Sequence, residues 1–333
     1  MQDMQEWTAC QFFNTTPAKL SDDEREMTDQ FCLAIQQKLP TKKFPTRKAN
    51  QKPMKKILLT LDQPKIYHRP LALYLSVRCI DAFCRMALHF LGFKHGNDKQ
   101  LPYHIRKGTS SEPSIVFFHG LGVGLTSYIL FAAGLAFNYP DRTIVLFEMP
   151  SITMKLNDNH VLPEEFSSHV ADTLLSLGLT KNIISGHSLG TACVAWMLRF
   201  HPHLVHASIF VDPVCFRLWY HHIAYNALYR TPKGFHETFI NLVAMTEPDH
   251  AVFLHRYFVW WHNAILTCDL PENCYIFLSE KDNIVATGEV VDYLLENPSP
   301  TRRIVLYKAF RHGQILASPE FTRVIRAFKD VLV

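Results

Sequence analysis

The sequence lacks the short motifs that hold a metal ion or a nucleotide. It has no H-E-x-x-H segment and no paired C-x-x-C segments, and His221 and His222 are adjacent rather than one helical turn apart. Residues 120–124 read G-x-G-x-G, but the third glycine and the downstream acid of a dinucleotide site are absent, and no G-K-S/T follows. We therefore expect neither a metal nor any other cofactor.

The chain also has little excess charge. Its formal net charge is only +4 over 333 residues, so a nucleic-acid-binding role would require a concentrated basic patch. The one candidate is a basic run without an intervening acid, in which Phe44 is the only aromatic residue able to stack on a base. The run comprises Lys42, Lys43, Arg47, Lys48, Lys52, Lys55 and Lys56. We predict no nucleic-acid partner; the run is either a solvated linker or a contact for an anionic membrane surface.

Neither the cysteines nor the N-terminal residues indicate secretion. The eight cysteines are scattered through apolar segments and do not form a compact disulfide framework. Residues 1–29 are polar and rich in acids, unlike a basic and then apolar signal peptide. The sequence thus predicts an intracellular protein, either cytoplasmic or peripheral on a membrane surface.

The segment Gly186-His187-Ser188-Leu189-Gly190 follows a short apolar run and precedes a helix-like segment. This order is typical of a nucleophile elbow, in which a sharp turn between strand and helix exposes a serine hydroxyl. Small residues flank the turn because the backbone bends too tightly to accept a Cβ atom. The pattern predicts that Ser188 is a nucleophile.

An upstream glycine-rich turn supports this interpretation. The apolar run 114–118 leads into His119-Gly120-Leu121-Gly122. Attack on an ester carbonyl creates an oxyanion that needs preorganised donors, and the backbone N–H groups of Leu121 and Leu189 are the expected pair. We expect Gly120, Gly122 and His187 to lie against the substrate. The alternative is a plain connection between strand and helix.

Two strand-like segments near the C-terminus each end in a polar residue. Asp282 follows residues 274–278, and His312 follows residues 303–307. The order Ser188, Asp282, His312 is that of one known serine-histidine-acid arrangement, in which the histidine takes the serine proton and the acid orients the imidazole. Asp212, at the end of the strand-like segment 207–211, is an alternative acid. The alternative role for Asp282 is to cap the helix that is predicted to begin near residue 285.

Through these motifs the chain resembles the α/β-hydrolase superfamily from about Lys107 to the C-terminus, and more closely its lipase-like serine hydrolases. The resemblance implies an α/β fold whose mainly parallel sheet carries helices on both faces. It also implies Ser188 as nucleophile, Asp282 as acid, His312 as base, and Leu121 with Leu189 as oxyanion donors. The alternation of strand-like and helix-like segments agrees with this fold, and segments 56–61 and 103–107 are candidates for additional strands.

About sixty residues separate the strand-like segments 207–211 and 274–278, several times what a simple crossover needs. We interpret residues 213–273 as a helical cap insertion, hereafter the cap. It is rich in aromatic residues, among them Trp260 and Trp261. These either line a hydrophobic substrate wall above Ser188 or form a small core within the cap.

The hydrolase pattern begins near residue 100, which leaves an N-terminal extension of residues 1–99. Ser21 and Glu24 form a capping box before a predicted helix that ends near Leu39, and the basic run follows. Residues 71–93 are apolar enough for a membrane span, but Arg78, Asp81, Arg85 and His89 form a polar stripe, which favours an amphipathic helix. This helix either packs on the core or lies in a membrane interface; we predict partial membrane association through residues 42–93.

The function these residues predict is cleavage of a carboxylic ester in a small, hydrophobic or lipid-like substrate through an acyl-enzyme intermediate. An acyltransferase and a carbon–carbon bond hydrolase would use the same three residues, and a non-catalytic protein that binds hydrophobic ligands would share the fold. Relatives with a carboxylate nucleophile are excluded because position 188 is serine.

Overall fold

Eight strands form a single sheet in the computed structural model, which describes residues 2–41, 43, 56–98, 101–155 and 160–332. The spatial order is β1-β2-β4-β3-β5-β6-β7-β8; β3 to β8 are parallel, and β1 and β2 form an antiparallel edge. The strands are β1 (Lys94–Asp98), β2 (Leu101–Arg106), β3 (Ser114–Phe118), β4 (Ile144–Phe147), β5 (Asn182–His187), β6 (Val205–Val211), β7 (Cys274–Ser279) and β8 (Arg302–Tyr307).

The central strands are nearly continuous apolar runs because both of their faces are covered. Every residue of β3, β4 and β5 is buried, as expected for parallel strands between two helical layers. The predicted mainly parallel sheet is therefore confirmed. The strand suggested at 56–61 is wrong: this segment is coil and turn, and the carbonyl groups of Ile57 and Thr60 accept hydrogen bonds from the side chains of Gln11 and Arg256 instead of a strand partner.

Helices cover both faces of the sheet. One apolar layer contains residues of α3, α4 and α13, and the other contains residues of α5, α6 and α11. The α-helices are α1 (Gln2–Phe13), α2 (Asp22–Lys38), α3 (Leu71–Phe90), α4 (Ile129–Asn138), α5 (Pro163–Ser176), α6 (Gly190–Phe200), α7 (His222–Ala224), α8 (Gly234–Ile240), α9 (Pro248–Val252), α10 (Trp260–Asn263), α11 (Thr287–Glu296), α12 (Gln314–Ala317) and α13 (Phe321–Asp330).

The cap consists of short helices, α7 to α10, with π-helical segments at 225–229, 241–245 and 253–257. Its two ends meet where the Ile265 N–H donates to the Cys215 carbonyl (3.0 Å). The Asn226 side chain donates to the Ile284 carbonyl (3.0 Å), next to the loop that carries Asp282. The cap therefore contacts the sheet edge at which the polar residues collect.

Residues of the N-terminal extension form hydrogen bonds with the cap. Helix α2 begins with the expected capping box between Ser21 and Glu24. Further along, the Tyr67 N–H donates to the Thr246 carbonyl (3.0 Å), and the Tyr74 hydroxyl donates to Glu247 (3.0 Å). The sheet itself begins with β1 at Lys94, inside the range assigned to the extension.

Helix α3 packs on the core, and Asp81 is the buried residue of its four-residue polar stripe. Asp81 is buried and forms ion pairs with Lys155 (2.6 Å) and Arg85 (2.8 Å). Arg78 donates to the Lys155 carbonyl, whereas His89 remains exposed. The large apolar side chains on the other side of α3 face outward.

Among the described residues, no helix combines the length and the hydropathy that a bilayer-spanning segment requires. Most of the predicted basic run lies outside the described residues; Lys43 and Lys56 are within them. Lys56 contacts α1, where its ammonium group pairs with Asp3 (2.6 Å) and Glu6.

Candidate active site

Ser188 occupies a strained turn between β5 and α6. Its φ of 52° lies in the left-handed region, which an L-residue adopts only when its surroundings impose it. The Ser188 N–H donates to the Val211 carbonyl (2.9 Å), and its carbonyl accepts from the Thr191 N–H (2.9 Å). These bonds hold the serine hydroxyl above the carboxyl end of the sheet.

Gly190 makes this geometry possible because α6 begins against the end of β3. A Cβ atom on Gly190 would lie 2.2 Å from the Phe118 carbonyl oxygen, and one on Gly186 would lie 2.4 Å from the Gly190 carbonyl oxygen. Neither contact involves a side chain that could move aside. The flanking glycines predicted from the sequence are therefore required by backbone contact.

The structure brings Ser188, His312 and Asp282 together in one hydrogen-bonded row. His312 Nε2 lies 2.7 Å from Ser188 Oγ, and His312 Nδ1 lies 2.6 Å from Asp282 Oδ2. The other carboxylate oxygen of Asp282 accepts the backbone N–H groups of Ile284 (2.7 Å) and Val285 (2.9 Å). Asp282 thus also caps the following turn, and these bonds orient its carboxylate toward the imidazole.

Leu121 and Leu189, predicted from the sequence as oxyanion donors, directly follow Gly120 and Ser188, which lie side by side. A Cβ atom on Gly120 would lie 3.0 Å from Ser188 Cβ, so the glycine-rich turn passes directly beside the nucleophile. The amides of Gly120 and Gly122 are occupied, donating to Tyr128 Oη (2.9 Å) and the Ile152 carbonyl (3.2 Å). Within the described residues, no acceptor bonds the Leu121 and Leu189 N–H groups, which leaves this pair for a developing oxyanion.

Two buried side chains that the sequence did not single out fix the turn. His119 Nε2 accepts the Met149 N–H (3.0 Å), so the ring hydrogen is on Nδ1 and donates to the Gly120 carbonyl (2.8 Å). Burial lowers the pKa of His119 to about 4, which keeps it neutral. Tyr128 accepts the Gly120 N–H, and its hydroxyl also bonds His187 Nδ1 (2.7 Å).

His187 is therefore a link between the elbow and the oxyanion turn. Its Nε2 lies 3.8 Å from Asp212 Oδ2, too far for a hydrogen bond but close enough for electrostatic attraction. Burial lowers the pKa of His187. Its ring centroid lies 5.6 Å from that of His312, so the two imidazole rings are close neighbours.

Asp212, the alternative acid, lies beside His312 without bonding it. It is fully buried, and its Oδ2 accepts the Gly313 N–H (2.8 Å). Burial raises the pKa of Asp212, but the His187 and His312 imidazoles and the Gly313 N–H together hold it below its ordinary value. Asp212 is therefore a second negative charge near the imidazole and anchors the residue that follows His312.

The carboxylates of Asp282 and Asp212 raise the pKa of His312. Burial lowers the pKa of its imidazole, but the charge and hydrogen bond of Asp282 and the charge of Asp212 raise it to about 9.

Ligand atoms of Asp212, Asp282 and His312 lie within 4.8 Å of one another, close enough for a metal ion. Because His312 bonds Asp282 and Ser188 through its two nitrogens, this proximity is accounted for by the catalytic row itself.

A buried charge cluster, which we call the Asp81–Lys155–Glu148 cluster, lies behind the oxyanion turn. Lys155 Nζ is 2.5 Å from Glu148 and 2.6 Å from Asp81. Burial raises the pKa of Glu148, but His104 and Lys155 lower it well below its ordinary range. One sign of this cluster is visible in the sequence, because Glu148 directly follows β4 at the carboxyl edge of the sheet.

Trp260 and Trp261 lie away from the catalytic row. Trp260 Nε1 donates to the Gln11 carbonyl (3.2 Å), and the Trp261 ring stacks on Phe12 at 6.3 Å between centroids. The Trp261 carbonyl accepts from Arg199 (2.8 Å), near the end of α6 opposite Ser188, which is about 16 Å distant by the helical rise. Both tryptophans therefore join the cap to α1.

Comparisons with known proteins agree with this fold. Residues 113–251 match a family model described as alpha/beta hydrolase fold. No curated protein matches the sequence significantly.

Several solved structures share the fold at low sequence identity. A bacterial membrane phospholipase A is 14% identical, with 78% of this chain and 95% of that chain covered and a TM-score of 0.54. A carboxylesterase from Bacillus subtilis is 16% identical, with 77% and 98% covered and a TM-score of 0.53. A meta-cleavage product hydrolase from Pseudomonas fluorescens IP01 is 14% identical, with 72% and 99% covered and a TM-score of 0.52.

The order and direction of the strands, the turn at Ser188 and the family match point to the same fold. Identities this low establish likeness of fold and leave the substrate open. The chain therefore has the α/β-hydrolase fold.

Proposed function

We propose that the protein is a serine hydrolase that cleaves a carboxylic ester in a hydrophobic, lipid-like substrate. The observation that carries the proposal is the row Ser188–His312–Asp282, with distances of 2.7 and 2.6 Å. Beside it lie two backbone donors, the Leu121 and Leu189 N–H groups, for which the described part of the chain offers no acceptor. A serine hydroxyl becomes nucleophilic when a positioned base takes its proton.

In the first half of the reaction, neutral His312 takes the Ser188 proton at Nε2 as the serine oxygen attacks the ester carbonyl. The N–H groups of Leu121 and Leu189 stabilise the resulting oxyanion. Asp282 stabilises the imidazolium through Nδ1. Collapse of the tetrahedral intermediate breaks the bond to the alcohol, which receives the proton from His312, and the acyl group remains on Ser188.

In the second half, His312 takes a proton from water, which attacks the acyl-enzyme carbonyl. The same two backbone donors stabilise the second oxyanion. Its collapse releases the carboxylic acid and returns the proton to Ser188.

The surroundings of Ser188 favour a hydrophobic acyl group. The Leu189 side chain is buried in the same apolar cluster as Phe216, Leu218 and Ile223 of the cap, and Leu121 packs against that cluster. Leu189 and these cap residues therefore belong to one continuous apolar cluster, which Leu121 borders. Such an environment binds hydrocarbon better than charged groups. The lipase and esterase names of similar structures fit this proposal.

Covalent labelling with a fluorophosphonate tests the proposal, because the reagent reacts with an activated serine rather than a merely exposed one. We expect native protein to be labelled and the variants Ser188→Ala and His312→Ala to be unlabelled. Ser185→Ala, which removes a buried serine on the same strand, is a matched control and should retain labelling. Equal failure of native protein and all variants would favour a non-catalytic binding protein.

A second candidate is hydrolysis of a carbon–carbon bond, favoured by the similarity to the meta-cleavage product hydrolase. Labelled protein that cleaves no ester of any chain length but hydrolyses a vinylogous diketone would support it. Transfer of the acyl group to an added alcohol in place of water would indicate an acyltransferase.

A further inference from the structure

Helices α3 and α4 expose large apolar side chains on the same face of the sheet. The two helices contact each other. On α3, the exposed fractions are 64% for Leu75, 66% for Phe83 and 80% for Phe90; on α4, they are 69% for Leu130 and 76% for Phe137. Single exposed apolar residues are normal on a protein surface, but several large ones on two contacting helices mark a contact surface. We call it the α3–α4 face.

The apolar stripe runs along the whole of α3. Its members recur at spacings of three and four, which place them on one side of a helix, and all are exposed. They are Ala72, Leu75, Cys79, Phe83, Met86 and Phe90. A helix of 20 residues is about 30 Å long.

The core fixes the outward orientation of this stripe. The opposite side of α3 buries Tyr74, Val77, Asp81, Cys84 and Leu88. Asp81 is held by Lys155 (2.6 Å), and Tyr74 is held by Glu247 (3.0 Å). Rotating the helix to hide the apolar stripe would expose these buried partners and break an ion pair. The stripe is therefore a stable feature of the folded protein.

The charges at the edges of the face indicate its occupant. Asp81 is the only acid in α3 and it is buried, while α4 contains no charged residue. Arg78, His89 and Lys65 are exposed on or just before α3, and the basic run 42–56 precedes them in the sequence. A second copy of the chain would bring these like charges together, whereas anionic lipid headgroups complement them.

We propose that the α3–α4 face docks on the surface of an anionic lipid bilayer. Apolar side chains enter the boundary between headgroups and acyl chains, and basic side chains contact the phosphates. Because α3 also contacts residues 124–128, which follow the oxyanion turn, a docked bilayer would lie near the proposed active site. The docking does not depend on that function.

Two exposed cysteines allow a direct test in the full chain. Cys79 lies in the middle of the apolar stripe, Cys268 lies in the cap, and the other six cysteines are buried. An environment-sensitive fluorophore is attached to Cys79 in the variant Cys268→Ser, and to Cys268 in the variant Cys79→Ser. Vesicles of phosphatidylcholine with phosphatidylserine should shift the emission of the Cys79 label to the blue and leave that of the Cys268 label unchanged.

Vesicle flotation supplies the second measurement. The variant Leu75→Ser/Phe83→Ser/Phe90→Ser should bind about tenfold or more weakly, because each side chain contributes apolar area to the docked state. The control Leu175→Ser/Leu295→Ser removes exposed leucines (48% and 59%) from α5 and α11 on the opposite layer and should bind normally. Unchanged thermal unfolding and fluorophosphonate labelling of the triple variant would show that its fold and serine are intact.

Three results would overturn the proposal. Native protein that does not float with anionic vesicles, or equal losses in the triple variant and the control, would show that the face is not a membrane contact. Native protein that stays off vesicles and elutes as a dimer, with the triple variant monomeric, would assign the face to a second copy of the chain.

Discussion

Asp282 and not Asp212 is hydrogen bonded to His312: its Oδ2 lies 2.6 Å from Nδ1, whereas Asp212 Oδ2 accepts the Gly313 N–H at 2.8 Å. The two carboxylates follow adjacent strands, β6 and β7, so sequence order alone could not decide between them. The geometry assigns them different tasks. Asp282 orients the imidazole, and Asp212 acts on it through its charge and through the backbone that follows.

Replacing each carboxylate should separate these tasks. Asp282→Asn removes the acceptor that fixes the His312 tautomer, and we expect kcat to fall about 10³- to 10⁴-fold. Asp212→Asn keeps a side-chain oxygen that can accept the Gly313 N–H, so we expect a loss below about tenfold. Steady-state hydrolysis of a p-nitrophenyl ester measures both. A larger loss for Asp212→Asn than for Asp282→Asn would reverse the assignment.

The pH profile should report the raised pKa of His312. General-base catalysis needs the neutral imidazole, which is formed as the pH rises through the pKa of about 9. We expect kcat/KM to increase about tenfold per pH unit below that value, and the rate of fluorophosphonate labelling to follow it.

Asp212→Asn provides the control for this profile. Removing one negative charge beside the imidazole lowers the pKa of His312, so the midpoint should move to lower pH than in native protein. A native midpoint at or below 6.5, the ordinary value, would show that the two carboxylates do not stabilise the imidazolium in this way.

Tyr128→Phe should weaken the oxyanion turn. The hydroxyl accepts the Gly120 N–H (2.9 Å) and bonds His187 (2.7 Å), and its removal leaves buried polar groups without a partner. We expect about 1–3 kcal/mol less stability and a lower kcat with little change in KM. Tyr139→Phe is the matched control, because that hydroxyl donates to the Ile325 carbonyl (2.6 Å) in another part of the molecule. Equal losses of kcat in both variants would indicate general destabilisation rather than a role in positioning the turn.

Gly190→Ala should prevent correct folding at the elbow. The added Cβ atom would lie 2.2 Å from the Phe118 carbonyl oxygen, so α6 would have to move away from β3. Gly288→Ala is the control: no atom lies within 4 Å of its added Cβ atom, and alanine in α11 should stabilise the helix by up to about 1 kcal/mol. Soluble yield and thermal unfolding distinguish the two. Native-like stability of Gly190→Ala would show that the turn can relax.

The sequence predicts those parts of the fold that depend on local pattern. The parallel strands β3 to β8, the capping box at Ser21 and the α/β-hydrolase fold are confirmed by the structure and the comparisons. The tryptophans of the cap and the polar stripe of α3 could not be placed in this way. Their environments depend on contacts with α1 and with Lys155, which lie far away in the sequence.

The role of Tyr128 also depends on such distant contacts. It appears in the sequence as one aromatic residue in an apolar segment. Only the folded chain brings its hydroxyl to the Gly120 amide and the His187 ring. The oxyanion turn and the nucleophile elbow each have a local sequence signature. The hydrogen bonds of Tyr128 that connect them do not.

Lys155→Met should destabilise the protein strongly at neutral pH. The lysine is buried between Asp81 (2.6 Å) and Glu148 (2.5 Å), and its removal leaves two buried carboxylates without a cation. Breaking such a buried pair costs about 3–5 kcal/mol. The pKa of Glu148 is lower in the folded protein than in the unfolded chain. Ionised Glu148 therefore stabilises the fold at pH values above its ordinary pKa, and this stabilisation is lost as the pH falls through the lowered pKa. The stability difference between native protein and the variant should therefore narrow in acid.

Lys56→Met is the matched control for this change. Lys56 also contacts two carboxylates, Asp3 and Glu6, but its side chain is 27% exposed and these pairs lie at the surface. We expect a loss of at most about 1 kcal/mol there. Urea unfolding at pH 7 and pH 4 measures both variants. If Lys155→Met were no more destabilising than Lys56→Met, water or a rearranged side chain would have to compensate the buried carboxylates, and the cluster would not fix the orientation of α3.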